Sequence, residues 1–284
     1  MANLIEITHL EKKIGMLHLS DINLELEPGY IMGLIGTNGS GKTTLINTIL
    51  NLYKKDSGSI KINGLSMDTN EKEAKDQIGF VLDENMFEDS ISVISNAKIY
   101  GKLYSKYDEN LFRKLCQRFE IPLKKKLGKL SAGLKVRFEL AFALSHDAKL
   151  FIMDEPIAGL NPVFRKELIN CMQEIVEDGT RSVIFSTHIT EDLDQVGDYI
   201  ALLHNGRIFF YLNKEELQDK YLILKGTKEQ IENLKCSHII YREFGDYHNC
   251  AFIEKIQGDD YLDTEIKIPI IEDIMYYLEK GGYN

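Results

Sequence analysis

The chain has 284 residues, of which 44% are apolar and 27% are charged, and its formal net charge is −10. This composition is typical of a globular protein with a sizeable core and excludes a disordered chain. The length fits one large domain, or one ordinary domain with a small one beside it. Because a nucleic-acid backbone is bound by neutralising it with lysine and arginine, the acidic balance indicates that nucleic acid is not a partner.

The four cysteines have neither CxxC spacing nor a metal-like spacing with histidine, and they are Cys116, Cys171, Cys236 and Cys250. We expect reduced thiols in a cytosolic chain. We find no secretory signal pattern and no apolar run near the roughly 20 residues that span a bilayer. A role at a membrane would therefore depend on a partner chain.

The first elements are half-buried strands, because apolar and polar residues alternate at 3–8 and 19–26. An almost entirely apolar run at 31–35 predicts a strand that is covered on both faces. A glycine-rich loop follows it, and then a helix over 44–52.

Further along, strands and helices alternate. Strands are predicted at 59–62, 78–82, 149–153, 182–186, 199–204 and 207–210, and helices within 91–144 and at 164–176. The pair Asn205-Gly206 favours a type I′ turn between the last two strands. This alternation indicates an α/β layered fold with a mainly parallel sheet.

After residue 213 the pattern changes to a small α+β appendage. A short helix is followed by a strand at 221–224, a helix at 228–234, strands at 238–241 and 251–256, and a helix at 271–279.

The loop after the third strand fits the pattern G-x-x-x-x-G-K-[ST]. Its residues are Gly36, Thr37, Asn38, Gly39, Ser40, Gly41, Lys42 and Thr43. Glycines let the backbone N–H groups point at phosphate oxygens, and the following helix adds its positive end. Lys42 is placed to reach the β- and γ-phosphates, the Thr43 hydroxyl to bind Mg²⁺, and Thr44 to touch the α-phosphate. The alternative is a glycine-rich structural turn, which the strand-loop-helix context disfavours.

Two carboxylates, Asp154 and Glu155, end the apolar strand at 149–153. Ligands of α/β folds lie at the carboxyl ends of strands. One carboxylate can hold Mg²⁺ and the next can polarise a water for attack on a γ-phosphate. A solvated strand end is the alternative, and the upstream phosphate loop favours the catalytic interpretation.

Four further segments give the sequence a specific resemblance. Residues 130–134 (Leu-Ser-Ala-Gly-Leu) are similar to the LSGGQ signature of ABC (ATP-binding cassette) ATPases, although Ser131 could simply be a helix N-cap. Residues 158–162 resemble the D-loop, residues 186–188 end at a switch histidine, His188, and residues 78–83 resemble the Q-loop. In order and spacing, these motifs resemble that family over residues 3–211.

The resemblance implies a P-loop NTPase cassette of the ABC type, with a RecA-like core, a β-subdomain and a helical subdomain at about 90–145. It places the ATPase domain at 1–212 and the appendage at 213–284. ATP and Mg²⁺ would be the cofactors, and the chain would be an ATPase. Lys42, Glu155 and His188 would be catalytic, and Thr43, Asp154 and Asp83 would hold the metal.

ABC ATPases that resemble this chain act as head-to-tail dimers, either of one chain or of two different ABC chains. Ser131 and Gly133 would then contact the γ-phosphate of the ATP bound by the partner, since a helix N-terminus attracts an anion. The D-loop residue Asn161 would also contact nucleotide.

Three positions depart from the family pattern. The adenine-stacking aromatic should fall at Lys13 or Ile14, and neither is aromatic. Asp83 replaces the Q-loop glutamine, unless Glu84 or Asn85 takes that role, and Asn161 replaces the D-loop aspartate. We expect loose base selectivity and an active but slow ATPase.

The signature, the loop at 158–162 and the ending at 270–275 resemble bacterial ABC-2-type exporters of drugs and peptides, although the ending could equally be a short amphipathic helix that packs on the appendage. The chain would then sit on the inner face of the cell membrane, bound to a permease through a groove formed by residues 91–119 and the Q-loop. Candidates for the groove lining, which could equally be core residues, are Tyr100, Leu103, Tyr104 and Tyr107. Two alternatives stay open: a soluble ABC ATPase acting on ribosomes or DNA, and a nucleotide-binding regulator without turnover.

Overall fold

A computed structural model of the chain describes residues 3–235, 238–245, 249–256, 261 and 264–281. The chain divides into two compact units, Met1–Tyr211 and Leu212–Asn284. This division falls one residue before the boundary that the sequence analysis placed after residue 212.

The first unit holds nearly all of the first ten strands and all of the first seven helices. The strands are β1 (Ile5–Ile14), β2 (Leu17–Leu26), β3 (Ile31–Ile35), β4 (Ser57–Ile62), β5 (Leu65–Ser66), β6 (Ile78–Val81), β7 (Leu150–Met153), β8 (Ser182–Thr187), β9 (Tyr199–His204) and β10 (Arg207–Asn213). The helices are α1 (Lys42–Ile49), α2 (Glu71–Lys75), α3 (Val93–Tyr100), α4 (Glu109–Arg118), α5 (Ala132–Ala143), α6 (Pro162–Val176) and α7 (Thr190–Val196).

The central sheet has six strands in the order β10-β9-β3-β8-β7-β6. Strands β9, β3, β8, β7 and β6 pair in parallel, which confirms the predicted α/β fold with a mainly parallel sheet. The carboxyl ends of β3, β6, β7 and β8 therefore meet at one edge. The phosphate loop, Asp83, Asp154 and His188 each follow one of these strands.

A second sheet, in the order β2-β1-β4-β5, is antiparallel. One buried cluster joins it to α1 and the central sheet, with members such as Leu10, Leu19, Ile46 and Ile60. Burial of apolar surface stabilises a fold by about 25 cal/mol per Å². This shared core therefore holds α1, and with it the phosphate loop, against both sheets.

Most element boundaries differ from the prediction by a few residues, and two of the differences have clear local causes. Strand β1 runs to Ile14, whereas the prediction ended it at residue 8. Register shifts interrupt its pairing after Ile7, and His9 has a positive φ of 47°. Such a bulge breaks the alternation of apolar and polar residues. Helix α1 ends at Ile49 and not at residue 52, since Asn51 adopts a left-handed φ of 56°.

An aromatic cluster forms the core of the helical region that follows β6. The rings of Phe138 and Phe142 lie edge-on to Phe87, with centroids 4.8 and 5.2 Å away. Phe112 also meets Phe138 edge-on. Edge-to-face pairs of this kind are favoured by the quadrupole of the rings. They pack the signature helix α5 against the rest of the region.

The second unit is the predicted α+β arrangement. It contains α8 (Lys214–Lys220), β11 (Tyr221–Gly226), α9 (Lys228–Glu232), β12 (Ile239–Phe244), β13 (Asn249–Glu254), β14 (Glu265–Lys267) and α10 (Ile271–Lys280). Its sheet has the order β12-β13-β11-β14. Strand β14 was not predicted because it has only three residues, none of them buried.

The structure describes three of the four cysteines that were predicted to be reduced thiols. Cys116, Cys171 and Cys250 are free and buried, and burial raises the pKa of the Cys116 thiol to about 12. Cys236 lies outside the described residues. In the described part of the chain, no helix combines the length and apolarity needed to cross a membrane.

Candidate active site

The phosphate loop begins where the fully buried strand β3 ends. A Cβ on Gly36 would lie 2.3 Å from the Leu203 carbonyl oxygen and 2.5 Å from the Ser40 hydroxyl, so only glycine fits. Gly41 precedes α1 with φ 111°, and no side chain caps that helix. Its first N–H groups are therefore left for a ligand, and an anion is the ligand that a helix N-terminus favours.

Lys42 links this loop to the acidic end of β7. Its Nζ donates a hydrogen bond to the Gly36 carbonyl oxygen at 2.8 Å and lies 3.6 Å from Glu155 Oε1. His188 Nδ1 donates to Glu155 Oε2 at 2.8 Å. A cation and a ring N–H thus flank one carboxylate that faces the cleft.

Ser186, at the end of β8, connects the two adjacent carboxylates. Its hydroxyl donates to Asp154 Oδ1 at 2.6 Å and accepts the Glu155 backbone N–H at 2.8 Å. The pKa of Asp154 is raised overall, and burial is the largest cause. Hydrogen bonds from Ser186 and Thr43 oppose this shift, whereas the negative charges of Glu155 and Asp83 add to it. A nearby cation would relieve this repulsion.

Lys42, Glu155 and His188 border one open cleft of about 340 Å³. Of the predicted site residues, the lining includes Asn38, Gly39, Gly41, Lys42, Thr43, Thr44, Asp83, Glu155 and His188. Gly36, Thr37, Ser40 and Asp154 are not part of the lining surface, and Asp154 is buried behind Thr43.

The structure also distinguishes the Q-loop alternatives. Asp83 lines the cleft, whereas the Asn85 amide bonds within its own loop, to the Asp89 carboxylate and the Phe87 N–H. Glu84 is exposed and is not part of the cleft lining.

The donor set suits a hard cation. The Thr43 hydroxyl and the carboxylates of Asp154 and Asp83 supply oxygen atoms, which Mg²⁺ prefers. In the described residues, no group of three His, Cys, Asp or Glu side chains is arranged to hold a metal by itself. The donors therefore fit a Mg²⁺ ion that keeps several ligands from phosphate and water.

Comparison with known proteins agrees with this geometry. The ABC transporter family model matches residues 19–158. The ABC transporter ATP-binding protein YtrB of Bacillus subtilis is 31% identical over 81% of this chain and 79% of its own length. The bacitracin transport ATP-binding protein BcrA of Bacillus licheniformis is 31% identical over 99% of both chains. The chain belongs to the ABC transporter ATP-binding proteins.

This ABC subunit binds ATP and is an ATPase. Its fold is that of the cassette MJ0796 in a dimeric structure bound to ADP and Pi, with a TM-score of 0.65 and 21% identity over 74% of this chain and 98% of that one.

The predicted signature residues Ser131 and Gly133 and the D-loop residue Asn161 do not line the cleft of their own chain. Ser131 caps α5 by accepting the Leu134 N–H at 3.4 Å, and Asn161 caps α6 by accepting the Phe164 N–H at 2.9 Å. A Cβ on Gly133 would meet only Leu160 and Phe164, at 3.7 and 3.9 Å. Nothing in its own chain therefore requires glycine at this position.

The two positions at which the family pattern places an adenine-stacking residue lie outside the cleft lining. Neither Lys13 nor Ile14 borders the cleft; both are exposed on β1 near its turn into β2, while Leu17 at the start of β2 lines the cleft. Sequence reasoning missed Leu17 and also Ala158, which borders the cleft from the segment after Glu155. Ala158 is the first residue of the recognised D-loop segment, whereas no motif marks Leu17.

Glu139 is the second important omission. It lies on α5, is 4% exposed, and its Oε2 accepts the Leu82 N–H at 2.9 Å. Burial raises its pKa to about 8, the Leu82 bond and Lys135 lower it, and Asp83 raises it. A charged residue inside the apolar run 138–144 was the available signal.

We expect the free energy of unfolding of Glu139→Gln to increase relative to that of the unchanged chain as the pH rises from about 5 to 8. Below the ordinary pKa of 4.5 both the folded and unfolded chains hold the proton, so the carboxyl makes no difference. Above it, the unfolded chain loses a proton that the folded chain keeps, so stability falls until the pH passes the folded pKa of about 8. Glutamine removes that loss, which grows by at most about 1.4 kcal/mol per pH unit.

Urea unfolding of both chains across this pH range measures the difference. Ser182→Ala, which removes a buried hydroxyl without a titrating group, should shift the stability by the same amount at each pH. A Glu139→Gln difference that does not change with pH would contradict the raised pKa.

Proposed function

We propose that this chain powers an ABC exporter that moves a peptide, an antibiotic or another amphipathic compound through a separate membrane permease. The observation that carries the proposal is the similarity to BcrA, whose name gives bacitracin as its transported compound, along 99% of both chains. That similarity includes the second unit as well as the cassette, so the proposal does not rest on the shared ATPase motifs alone.

The cleft supports an assignment of catalytic roles. The phosphate-loop N–H groups and Lys42 would bind the β- and γ-phosphates, because they concentrate positive charge at one end of the cleft. Glu155 would accept the proton of the attacking water, and its carboxylate already lies between Lys42 and His188. His188 would hold the γ-phosphate and the water in line.

Mg²⁺, when bound, would neutralise charge that develops between the β- and γ-phosphates. Thr43, Asp154 and Asp83 would hold it. Ser186 would orient Asp154, since its hydroxyl donates to Oδ1 at 2.6 Å.

We further propose a head-to-tail dimer, formed with a second copy or with another ABC ATPase. The N-terminus of α5 offers backbone N–H groups from residues that do not line the cleft of their own chain, and Gly133 leaves room for close approach. Ser131, Gly133 and Asn161 would then complete the partner's ATP site. Binding of ATP would favour the closed dimer and hydrolysis the open one.

An apolar groove supports docking to a permease at the inner face of a membrane. It has a volume of about 110 Å³, and its lining consists of Leu50, Leu52, Ile78, Phe80, Leu82, Met86, Tyr104 and one charged residue, Lys75, whose ammonium is already paired with Glu71 at 2.8 Å. Leu52 and Met86 are 43% and 41% exposed there. Exposed apolar surface of this kind is typical of a binding site for another chain, and an apolar permease helix would fit it.

Of the four expected lining residues, only Tyr104 borders the groove. Tyr100 packs edge-on to Phe87, and Tyr107 packs on Phe142, so both belong to the aromatic core as the alternative interpretation held. Leu103 is 68% exposed and lies outside the groove lining. The ending at 270–275 lies in and before α10, in which Ile271 and Ile274 are buried, so burial of these side chains explains the pattern without a role in export.

We expect Met86→Glu to lose the permease during purification from native membranes in mild detergent. A charge in the groove would have to be desolvated against apolar side chains, which should weaken binding by about 10- to 100-fold. Leu103→Glu is the matched control, because it adds the same charge beside the groove but outside its lining, and it should keep the permease.

The same purification separates the proposed function from its rivals. A polytopic membrane protein in stoichiometric yield supports the exporter. Recovery with ribosomes, or alone in the soluble fraction, would instead favour a soluble ABC ATPase. A separate phosphate-release assay tests the remaining alternative, because the absence of phosphate release would favour a regulator. Loss of resistance to bacitracin-like compounds in a strain that carries only Glu155→Gln would identify the substrate class.

A further inference from the structure

One buried carboxyl group joins the signature helix to the strand that leads into the ATP cleft. Glu139 lies on α5, and its Oε2 accepts the Leu82 N–H at 2.9 Å. The preceding residue, Val81, accepts the Asp154 N–H through its carbonyl oxygen at 2.8 Å. The next residue, Asp83, lines the cleft.

The position of β6 explains why this bond matters. Among the described strands, β6 is one of the two edge strands of the central sheet and pairs with β7 on one side only. The backbone that leaves it has no neighbouring strand to hold it on the other side. Glu139 supplies the acceptor from within the helical region, although burying a carboxyl group is costly and an apolar side chain would pack there more simply.

We propose that Glu139 is a positioning residue for ATP hydrolysis, which ties α5 to the Leu82 backbone and thereby holds Asp83 at the cleft. The inference rests on the proposed role of Asp83 at the Mg²⁺–ATP site. Helix α5 begins after Ser131, the residue assigned to the partner's ATP. One helix therefore carries both a group for the partner's nucleotide and the tether to its own Q-loop. A shift of the signature on dimer closure would be transmitted directly to Asp83.

The test compares three substitutions of Glu139 in the purified chain. Glu139→Gln keeps an oxygen acceptor of the same shape and should retain kcat within about twofold. Glu139→Leu leaves the Leu82 N–H unpaired and should lower kcat by about 10- to 100-fold, because a small misplacement near the reacting atoms is costly. ATP affinity should change less than about twofold, since Lys42 and the phosphate loop stay in place.

Glu139→Asp covers the case in which the leucine variant does not fold. Aspartate keeps the carboxyl group, but its side chain is one methylene shorter, so the acceptor no longer reaches the Leu82 N–H. We therefore expect kcat to fall in Glu139→Asp and to be retained in Glu139→Gln. Ser182→Ala is the matched stability control, because its buried hydroxyl bonds the Glu27 carbonyl oxygen at the amino ends of the strands, away from the cleft. It should keep kcat.

Asp83→Ala separates a failure of this inference from a failure of the proposed site. If Glu139 acts through Asp83, adding Glu139→Leu to Asp83→Ala should lower kcat by less than about twofold further. Additive losses, or equal losses in the glutamine and leucine variants, would overturn the tether. An Asp83→Ala chain with unchanged kcat would overturn the role of Asp83 itself.

Discussion

Replacing Glu155 with glutamine should lower ATP turnover by about 100- to 10,000-fold and leave ATP binding intact. The amide has the shape of the carboxylate but cannot accept a proton from water. It can still accept the His188 N–H, which lies 2.8 Å from Oε2, so the cleft should keep its form. Phosphate release and titration with a fluorescent ATP analogue measure the two quantities separately.

Charge considerations sharpen this expectation. Glu155 lies 3.6 Å from Lys42, so its carboxylate competes with phosphate for the same cation. Removing that charge should keep ATP binding as tight or tighten it. Glu177→Gln, an exposed carboxylate at the end of α6, is the control and should behave as the unchanged chain does. Full turnover in the Glu155 variant would exclude this residue as the base.

The main chemistry of the cleft could be predicted because it depends on local patterns and on one topological rule. A glycine-rich loop after a buried strand marks the phosphate end, and parallel strands bring their carboxyl ends together. Asp154 and His188 follow β7 and β8, which are neighbours in the sheet. Sequence order alone therefore placed them on one edge.

Contacts that depend on register could not be predicted in this way. Ser186 reaches Asp154 because Met153 pairs with Phe185 across β7 and β8, and a sequence does not reveal that pairing. Glu139 meets Leu82 because aromatic packing sets the rotation of α5 against β6. Tyr107 was a candidate for the groove, yet it packs in the aromatic core, because periodicity cannot say which of two apolar surroundings a ring enters.

Replacing Gly133 with glutamate should abolish turnover, by about 100-fold or more, without unfolding the chain. The position is the second residue of α5, where an acidic side chain complements the helix dipole and glycine is a poor helix former. A Cβ there meets no atom of its own chain closer than 3.7 Å. The loss would come from a negative charge placed against the γ-phosphate of the partner's ATP. Gly133→Ala adds bulk without charge and should lose far less.

Mixing two inactive chains decides whether the signature acts on the partner. In a co-expressed pair of Gly133→Glu and Glu155→Gln, one site of each mixed dimer combines an intact Glu155 with an intact signature. Half of randomly formed dimers are mixed, so turnover should return to about a quarter of the unchanged value. If the signature served its own cleft, each chain would carry its own defect and no turnover would return. Restored turnover would require two copies of this chain to share each ATP, with Glu155 from one and Gly133 from the other.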